Sequence, residues 1–379
     1  MILIGKKKLL YLFFLTLFFL GVRTIGKTYS SDMIDFSAYY NSAKQYTNNQ
    51  NPYISNYLPL LYPPASIIIF LPLTLFNYQV AKSIWGTIII FSIFLGLHLT
   101  FQDLKKMILI TNPLFAEALF ILLCLQLFPV KFSLAQGQIN SLVFLLIVLI
   151  PKLIKKHSLL LGLTLATIIN LKLIPFVLML YPLLKRKLAF LGSLTFFLVT
   201  PNLIVSHYSR QRLLSTFFEK SLLKVDQVPQ YYYNQSLQAL LYRLHLSPEL
   251  IILTIIIFSL ATIIFLIQKN EVKSVYPILL SFMTLISPIT WQHHLIWTIP
   301  CFVHLANNRM QSIRVLGLVS FILINSNIKF PDQFFRNQLI YSHATFGLII
   351  LFITLVISST PSVYRIPHVT DQQFSSLIV

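Results

Sequence analysis

Residues 6–25 read KKKLLYLFFLTLFFLGVRTI, three lysines followed by a mostly apolar run from Leu9 to Ile25. The run approaches the roughly 20 residues that a transmembrane helix needs. It has the outline of a signal peptide, but it lacks a small-residue cleavage site and many similar runs follow it. We therefore interpret it as the first membrane span, with the lysines holding the N-terminus in the cytoplasm.

The composition of the whole chain supports this interpretation. Of the 379 residues, 56% are hydrophobic and 10% are charged, and the mean hydropathy is +0.76. Soluble domains carry about 25% charged residues, so this chain has too few polar side chains to cover a surface in water. The net charge of +19 fits the Lys and Arg excess of cytoplasmic loops and does not require a nucleic-acid partner. Cys124 and Cys301 lie within apolar runs, which argues against a disulfide framework and against a thiolate metal site.

Further apolar runs predict an all-α polytopic membrane protein with twelve spans and a single domain over residues 1–379. The spans are predicted at Leu9–Ile25, Tyr78–Phe101, Asn112–Pro129, Ile139–Ile154, Ser158–Leu171, Leu173–Leu184, Leu188–Ser206, Pro248–Gln268, Ser274–Thr290, His293–Ala306, Arg314–Phe330 and His343–Thr360. The runs around Leu171 and His294 are short, so each could instead be a re-entrant hairpin. The stretch from Pro63 to Phe76 is short and broken by prolines, and we expect it to lie in the outer interface.

The charges indicate the orientation of the chain. Sixteen of the 29 Lys and Arg residues fall in the short loops assigned to the cytoplasm, as expected from the positive-inside rule. Both termini, including the polar tail 361–379, are therefore predicted to be cytoplasmic. The sizeable loops, 26–77 and 207–247, are predicted to lie outside, so we expect the functional site on the outer face of the plasma membrane.

The first outer loop carries the most informative residues. Asp35, Tyr39 and Ser42 share one face of a predicted short helix, at positions i, i+4 and i+7. A carboxylate beside aromatic rings at the end of a membrane span could accept a proton from a bound hydroxyl, and aromatic rings pack on sugar faces. In the alternative interpretation, Asp35 caps the helix and the tyrosines form an interfacial belt. The loop by itself leaves both interpretations open.

Several motifs in this order resemble glycosyltransferase family 87, a group of polytopic enzymes with the GT-C fold. They are Asp35-Phe36, Tyr39-Tyr40, Pro52-Tyr53, Tyr62-Pro63-Pro64, Ala81 to Trp85, Gly137-Gln138-Ile139-Asn140, Gly162, Lys172-Leu173-Ile174-Pro175, Asn234-Gln235-Ser236-Leu237, Arg243 and Ser287-Pro288-Ile289-Thr290-Trp291-Gln292-His293-His294. The resemblance covers about Asp35 to Pro300. It implies a GT-C-type fold with about twelve transmembrane helices and interfacial helices in the first outer loop.

The resemblance also implies an activity. Such enzymes transfer a mannosyl or similar hexosyl unit from a polyprenyl-phosphate donor to a lipid-linked or cell-surface glycan, with inversion and without cofactor or metal. Asp35 matches the position of the general base, and Asp32 is the second candidate. The expected partners are the lipid-phosphate sugar donor, the glycan acceptor and membrane lipids, while the oligomeric state is not predicted.

The donor phosphate needs positive or hydrogen-bonding groups near the membrane surface. The candidates are Lys172, Arg243, His293 and His294. Lys172 could instead snorkel to the headgroups, and Arg243 could contact anionic lipids. Adjacent helical residues point about 100° apart, so we expect one of the two histidines to face the site. Their spacing is not the i, i+4 spacing of a zinc site.

Hydroxyl-binding residues are predicted from polar and aromatic side chains in the same motifs. The candidates for sugar or acceptor binding are Tyr39, Tyr62, Gln138, Asn140, Asn234, Gln235 and Trp291. Amide side chains in membrane proteins also bind helices to one another, which is the alternative role for the four amides.

Two functions other than a glycosyltransferase fit an apolar chain with outer loops. A transporter or flippase of lipid-linked sugars would need polar residues along a pathway, and Glu117 is the acid that falls inside a predicted span. A polysaccharide polymerase would carry its motifs in late loops, whereas here the key acid is early. The sequence therefore favours the glycosyltransferase.

Overall fold

The computed structural model describes residues 2–54, 58–105, 112–154, 157–209, 211–222, 233–269, 272–328 and 339–360. The predicted tail 361–379 and part of the second outer loop, 223–232, lie outside the described residues.

The described chain is helical throughout, as predicted. Its α-helices are α1 (Ile2–Ser30), α2 (Ile34–Thr47), α3 (Ile67–Phe70), α4 (Tyr78–Lys105), α5 (Pro113–Gln126), α6 (Phe128–Ala135), α7 (Asn140–Leu153), α8 (Ser158–Leu171), α9 (Leu180–Leu184), α10 (Phe190–Tyr208), α11 (Leu213–Thr216), α12 (Leu237–Arg243), α13 (Pro248–Ile267), α14 (Val272–Ile286), α15 (Ile299–Ala306), α16 (Gln311–Asn325) and α17 (His343–Ser359). Shorter 3₁₀ segments cover Pro64–Ser66, Leu71–Leu75, Ile174–Met179, Gln292–Thr298 and Leu339–Ser342, and a π-helical turn covers Phe217–Leu222.

Local sequence signals explain several helix starts. Asn112 caps α5 by accepting a hydrogen bond from the Phe115 N–H, and Ser247 caps α13 in the same way. In both helices a proline follows the cap, at a position where its missing N–H costs nothing.

The number of membrane spans is the point at which prediction and structure differ. Five helices among the described residues are long and apolar enough to cross a membrane, or six if the bent pair α5 and α6 counts as one span. The remaining predicted spans coincide with shorter or broken helices; α7 and α8, for example, have 14 residues each. Fourteen residues of α-helix extend about 21 Å, less than the ~30 Å hydrocarbon core. The prediction of twelve was thus not confirmed, because hydropathy runs include caps and breaks that are not helix.

The segment from Pro64 to Leu75 consists of three short helical pieces, as its prolines suggest. At about 1.5 to 2 Å per residue it is too short to span the hydrocarbon core alone. Its backbone is tied to α10, where the Asn202 Oδ1 accepts a hydrogen bond from the Ala65 N–H at 2.8 Å.

Contacts between helix ends define two ends of the molecule. At the first end, which we call the site end, α1 finishes and α7 begins: the Ser31 hydroxyl donates to the Ala135 carbonyl, which ends α6, at 2.7 Å. At the second end, which we call the basic end, the Lys152 Nζ lies 2.8 Å from an Asp103 carboxylate oxygen. Loops at each end are therefore neighbours in space although they are far apart in sequence.

Close helix packing joins α8 to α10. At Gly162 of α8, a Cβ atom would lie 1.9 Å from the Ser193 Oγ and 2.6 Å from the Leu194 N of α10. Small residues at such crossings let helix backbones approach each other in membrane proteins. The packing continues to the end of α8, where the Asn202 Nδ2 donates to the Asn170 Oδ1 at 2.7 Å, two residues before Lys172.

Candidate active site

The turn between α1 and α2 positions Asp35. Met33 has a left-handed backbone conformation (φ 46°), which turns the chain sharply into α2. The Asp35 N–H then donates to the Gln136 carbonyl at 3.1 Å. Gly137 (φ 67°) makes this approach possible, because a Cβ there would lie 2.8 Å from the Phe36 Cβ. Met33 is the N-cap of α2 and makes no side-chain cap, so the alternative in which Asp35 caps this helix is wrong.

Asp35 belongs to a cluster of polar groups on the buried side of α2. Its carboxylate accepts a hydrogen bond from the Gln138 side chain and interacts electrostatically with Lys172. The Tyr39 hydroxyl donates to the Gln138 Oε1 at 3.2 Å and lies 3.2 Å from the Tyr62 hydroxyl. The Gln138 side chain therefore accepts a hydrogen bond from Tyr39 and donates one to Asp35. These two bonds orient its amide.

Lys172 enters the same cluster from the end of α8. Its backbone is extended (φ −158°, ψ 128°) between α8 and the following 3₁₀ segment. The side chain is only 5% exposed, and its Nζ lies 2.6 Å from the His294 Nε2 and 5.8 Å from the centres of the Tyr62 and Trp297 rings. This burial contradicts the alternative in which Lys172 snorkels to the headgroups.

Electrostatics make Lys172 an unusual lysine. Burial lowers its pKa to about 7, and the charge of Asp35 offsets part of that effect. Burial, and then the charge of Lys172, lower the pKa of His294 well below its usual value. The imidazole is therefore neutral. In the tautomer whose Nδ1 accepts from the Trp291 N–H, its Nε2 donates a hydrogen bond to the neutral Lys172 amine; in the other tautomer, Nε2 accepts one from charged Lys172.

The two predicted histidines lie on the 3₁₀ segment Gln292–Thr298. The His294 ring stacks on Trp297, with centroids 5.0 Å apart, and its Nδ1 accepts from the Trp291 N–H at 3.2 Å. The His293 ring packs against Phe132, 5.4 Å away, at 82° to the His294 ring. Within the described part of the chain, neither ring nitrogen of His293 has a hydrogen-bond partner. Burial lowers the pKa of His293 as well, so this ring too is neutral.

Asn140 holds the histidine segment in place. Its Nδ2 donates to the His293 carbonyl at 3.4 Å, and its own carbonyl accepts from the Trp297 Nε1 at 3.3 Å. The Asn140 side chain is therefore adjacent to the cluster, although the contacts described for it are with backbone.

The other predicted residues form a second cluster. Arg243 donates to the Asn234 carbonyl and to the Ser342 hydroxyl, both at 2.8 Å. Asn234 pairs with Trp291 in an isolated antiparallel bridge. Gln235 donates from its side chain to the Tyr341 carbonyl at 2.7 Å. These bonds join α12, the start of α17 and the segment before His293.

This second cluster changes the interpretation of its members. Arg243 is buried, which excludes contact with the headgroups of surrounding lipids. The side chains of Asn234 and Gln235 bond to protein backbone, as expected for amides that bind helices to one another. Trp291 links the two clusters, because its backbone N–H donates to His294.

Two residues near the first cluster were not predicted. Trp297 forms the stacking surface for His294. Asn202 of α10 donates to the Asn170 Oδ1 at 2.7 Å and accepts from the Ala65 N–H. In the sequence, Asn202 stands out as a polar residue inside an apolar run. No local pattern indicated which helix it would contact.

The cluster combines groups that suit transfer chemistry at a hydroxyl. Asp35 provides a carboxylate that can accept a proton, and Lys172 provides a cation that can balance a developing negative charge. Among the residues that the structure describes, no group of three His, Cys, Asp or Glu lies close enough together to hold a metal ion.

Comparison with known proteins identifies the family. The description "Glycosyltransferase family 87" belongs to the family profile that matches residues 60–288, more than half of the chain. The match includes Tyr62, Gln138 and Lys172, whereas Asp35 precedes it and His294 follows it. No curated protein and no solved structure matches the chain significantly. The chain belongs to glycosyltransferase family 87.

Proposed function

We propose that this membrane glycosyltransferase moves a mannosyl or similar hexosyl unit from a polyprenyl-phosphate donor to a lipid-linked or cell-surface glycan. The observation that carries the proposal is the buried cluster in which the Asp35 carboxylate, Gln138 and Lys172 interact. It unites a base with a cation, the two charges that a hydroxyl nucleophile and a phosphate leaving group require.

In the proposed reaction, Asp35 accepts the proton of the acceptor hydroxyl while the hydroxyl oxygen attacks the anomeric carbon. The bond between that carbon and the phosphate oxygen breaks on the opposite side of the sugar, which inverts the configuration. The products are the extended glycan and the polyprenyl phosphate. Charged Lys172 balances the negative charge that the phosphate gains.

The remaining residues of the first cluster have supporting roles in the proposal. The Tyr39 hydroxyl hydrogen-bonds to both Tyr62 and Gln138, and these three side chains would exchange those bonds for sugar hydroxyls. His294 holds the Lys172 amine. His293 has two nitrogens without a partner among the described residues, so it is the histidine that we assign to a bond with the donor phosphate or sugar.

We assign positioning roles to the second cluster. Arg243, Asn234 and Gln235 bond to protein groups, so they hold the histidine segment in place instead of contacting the donor. Trp291 and Asn140 attach the same segment from either side.

The proposed location is the outer face of the plasma membrane, with both termini in the cytoplasm. The basic end carries Lys152, and the predicted cytoplasmic loops there hold most of the described short-loop lysines and arginines. By the positive-inside rule this end faces the cytoplasm, so the cluster at the site end faces outward.

The transporter alternative receives less support. Glu117, the acid predicted inside a span, pairs with His98 of α4 and lies on α5, outside the first cluster. Pairing of this kind satisfies a buried acid without a pathway through the bilayer.

A transfer assay tests the proposed function. Purified full-length protein in detergent is incubated with radiolabelled polyprenyl-phosphate mannose and a membrane lipid extract. We expect wild type to transfer label and Asp35→Asn to lose about 10²- to 10⁴-fold in rate, the usual contribution of a general base. The matched comparison is Asp32→Asn, which we expect to retain the wild-type maximal rate at saturating acceptor because Asp32 lies outside the buried cluster.

Two results would contradict the proposal. Equal transfer by wild type and Asp35→Asn would remove Asp35 as the base. Loss of transfer in Asp32→Asn with activity retained in Asp35→Asn would assign the role to Asp32.

A further inference from the structure

A second concave site lies on the opposite face of α2 from Asp35. It is a groove of about 590 Å³ between the α1–α2 turn, α2 and the first turns of α4. Its lining includes Asp32, Tyr40, Asn41, Tyr78, Gln79 and Lys82. The volume lies within the range of sites that hold small ligands.

The floor of the groove is aromatic and held in place. The Tyr40 and Tyr78 rings meet edge to face, with centroids 5.5 Å apart. The Tyr40 hydroxyl donates to the Phe76 carbonyl at 2.8 Å, and the Tyr78 hydroxyl donates to the Asp32 carbonyl at 3.0 Å. Tyr40 is buried and Tyr78 is partly buried, so the Tyr78 ring offers the groove a fixed apolar surface, of the kind on which the C–H face of a sugar packs.

The walls of the groove carry hydrogen-bonding groups. Within the ranges that the structure describes, the side chains of Asp32, Asn41, Gln79 and Lys82 make no hydrogen bond or ion pair. The lining holds one acid, Asp32, and one base, Lys82, so its formal charges cancel. An anionic phosphate would meet the Asp32 carboxylate, and an acyl chain would leave two amides without partners. A neutral, hydroxyl-rich ligand matches both the donors and the acceptors.

The position of the groove connects it to the candidate active site. Asp35 and Ser37 are two residues apart and so point about 200° from each other around α2. Asp35 faces the buried cluster, and Ser37 lines the groove. The two sites are thus separated by about one helix diameter, 10 to 12 Å. A short oligosaccharide is long enough to reach from one to the other.

We propose that this groove binds a neutral saccharide, the part of the acceptor glycan beyond the sugar that reacts. The assignment to the acceptor rests on the proposed function, whereas saccharide binding rests on the groove itself. Asp32, which ranked second as a base by sequence, then becomes a ligand of the bound sugar hydroxyls.

A binding experiment tests the groove separately from catalysis. Full-length protein in detergent is applied to a glycan array that carries neutral hexose oligosaccharides, and the affinity for any bound glycan is then measured in solution. We expect wild type and Asp35→Asn to bind. We expect the double variant Asn41→Ala/Gln79→Ala to bind at least about tenfold more weakly, which is the effect of ~1.4 kcal/mol. The matched control is Gln45→Ala, one turn beyond Asn41 on α2 and outside the groove lining, and it should bind as wild type does.

Each contrary outcome has a defined meaning. Absence of binding to every glycan overturns the proposal. Binding that is lost in Asp35→Asn and retained in the double variant also overturns it, because the saccharide would then occupy the buried cluster. Binding to anionic vesicles that depends on Lys82, without glycan binding, would identify a lipid headgroup as the ligand instead.

The two proposals can fail independently. If the radiolabel assay detects no transfer but the array detects binding that depends on Asn41 and Gln79, the proposed reaction fails and the groove stands. Both substituted positions are exposed, so the replacements leave the helix packing intact. A monodisperse elution profile verifies this for each variant.

Discussion

Lys172 and His294 form a pair whose proton content depends on pH near neutrality. Burial lowers the pKa of Lys172 to about 7, while the His294 ring stays neutral. The Lys172 amine is therefore charged below about pH 7 and neutral above it. The cation that binds phosphate would therefore be present below about pH 7 and would be lost progressively above it.

This dependence predicts the pH profile of the enzyme. We expect kcat/KM for the lipid-phosphate donor to fall above about pH 7, by up to tenfold per pH unit, because it follows the charged fraction of Lys172 in the free enzyme. The variant Lys172→Arg keeps its charge at every accessible pH. It should lose this decline even if its overall activity is lower. The measurement is the initial transfer rate from about pH 6 to pH 9.

Two results would contradict this role of Lys172. One is a wild-type profile that stays flat across the range, and the other is an unchanged decline in Lys172→Arg. In either case the titrating group would be a different residue.

Asp32 and Asp35 illustrate how three residues of separation lead to different environments. The left-handed backbone at Met33 lies between them and turns the chain into α2. Asp35 then faces Gln138, while Asp32 lines the open groove. In the sequence, a motif alone favoured Asp35 over Asp32 as the general base. The turn at Met33 adds a physical reason, because it directs the two side chains to different sites.

At the scale of elements, short and broken helices build the site. Lys172 lies at the break after α8, the histidines lie on a 3₁₀ segment, and Gly137 lies in the turn after α6. Apolar runs predicted most helices of the chain closely, including Ser158–Leu171. The apolar run Asn112–Pro129 predicted one span where the structure has α5 and the start of α6, because the 69° bend between these helices falls within one hydrophobic stretch.

Asn202 joins two of the elements that carry site residues. Its side chain bonds to Ala65, next to the Tyr62-Pro63-Pro64 segment, and to Asn170, two residues before Lys172. We expect Asn202→Leu to leave the Ala65 N–H and the Asn170 amide without these partners, at a cost of about 1–3 kcal/mol for each buried group. The segments that carry Tyr62 and Lys172 would then lose the side chain that bonds to both of them.

The expected result of Asn202→Leu is a lower thermal stability in detergent and a raised KM for the donor, with a smaller change in kcat. The matched control is Asn325→Leu on α16, where the amide donates to the carbonyl of Phe321 in the preceding turn and, among the described residues, makes no contact with another helix through a hydrogen bond. A variant that loses stability but keeps the wild-type KM would show that Asn202 supports the fold alone.

For the whole molecule, the two ends differ in charge and in the candidate sites that they carry. The site end holds the Asp35 cluster and the groove, whereas the basic end holds Lys152 and its ion pair with Asp103. If the basic end faces the cytoplasm, exposed positions at each end must be accessible from opposite sides of the membrane.

Labelling of introduced cysteines tests this orientation. A membrane-impermeant maleimide should label Gln50→Cys at the site end in intact cells, and Asn307→Cys at the basic end only after permeabilisation. Both positions are exposed, and the native Cys124 and Cys301 are buried. The reverse pattern would place the candidate active site in the cytoplasm.

Leu188→Cys extends the same experiment to the number of crossings. Leu188 follows the segment Ile174–Leu184 and is exposed. If that segment crosses the membrane, as the twelve-span prediction requires, position 188 is labelled only after permeabilisation. Labelling in intact cells would identify the segment as a re-entrant hairpin that returns to the outer face.

The sequence by itself determined the helical membrane class, the order of the apolar runs and the faces of α2, because hydropathy and helical period are local properties. It also provided the motifs that resemble the family. Only the tertiary structure decided that Lys172 meets His294, 122 positions later in the chain, that Arg243 bonds to the protein interior, and that Asp32 and Asp35 face different sites. Those outcomes depend on where helix ends meet, which is set by packing between elements far apart in the chain, and no local pattern contains that information.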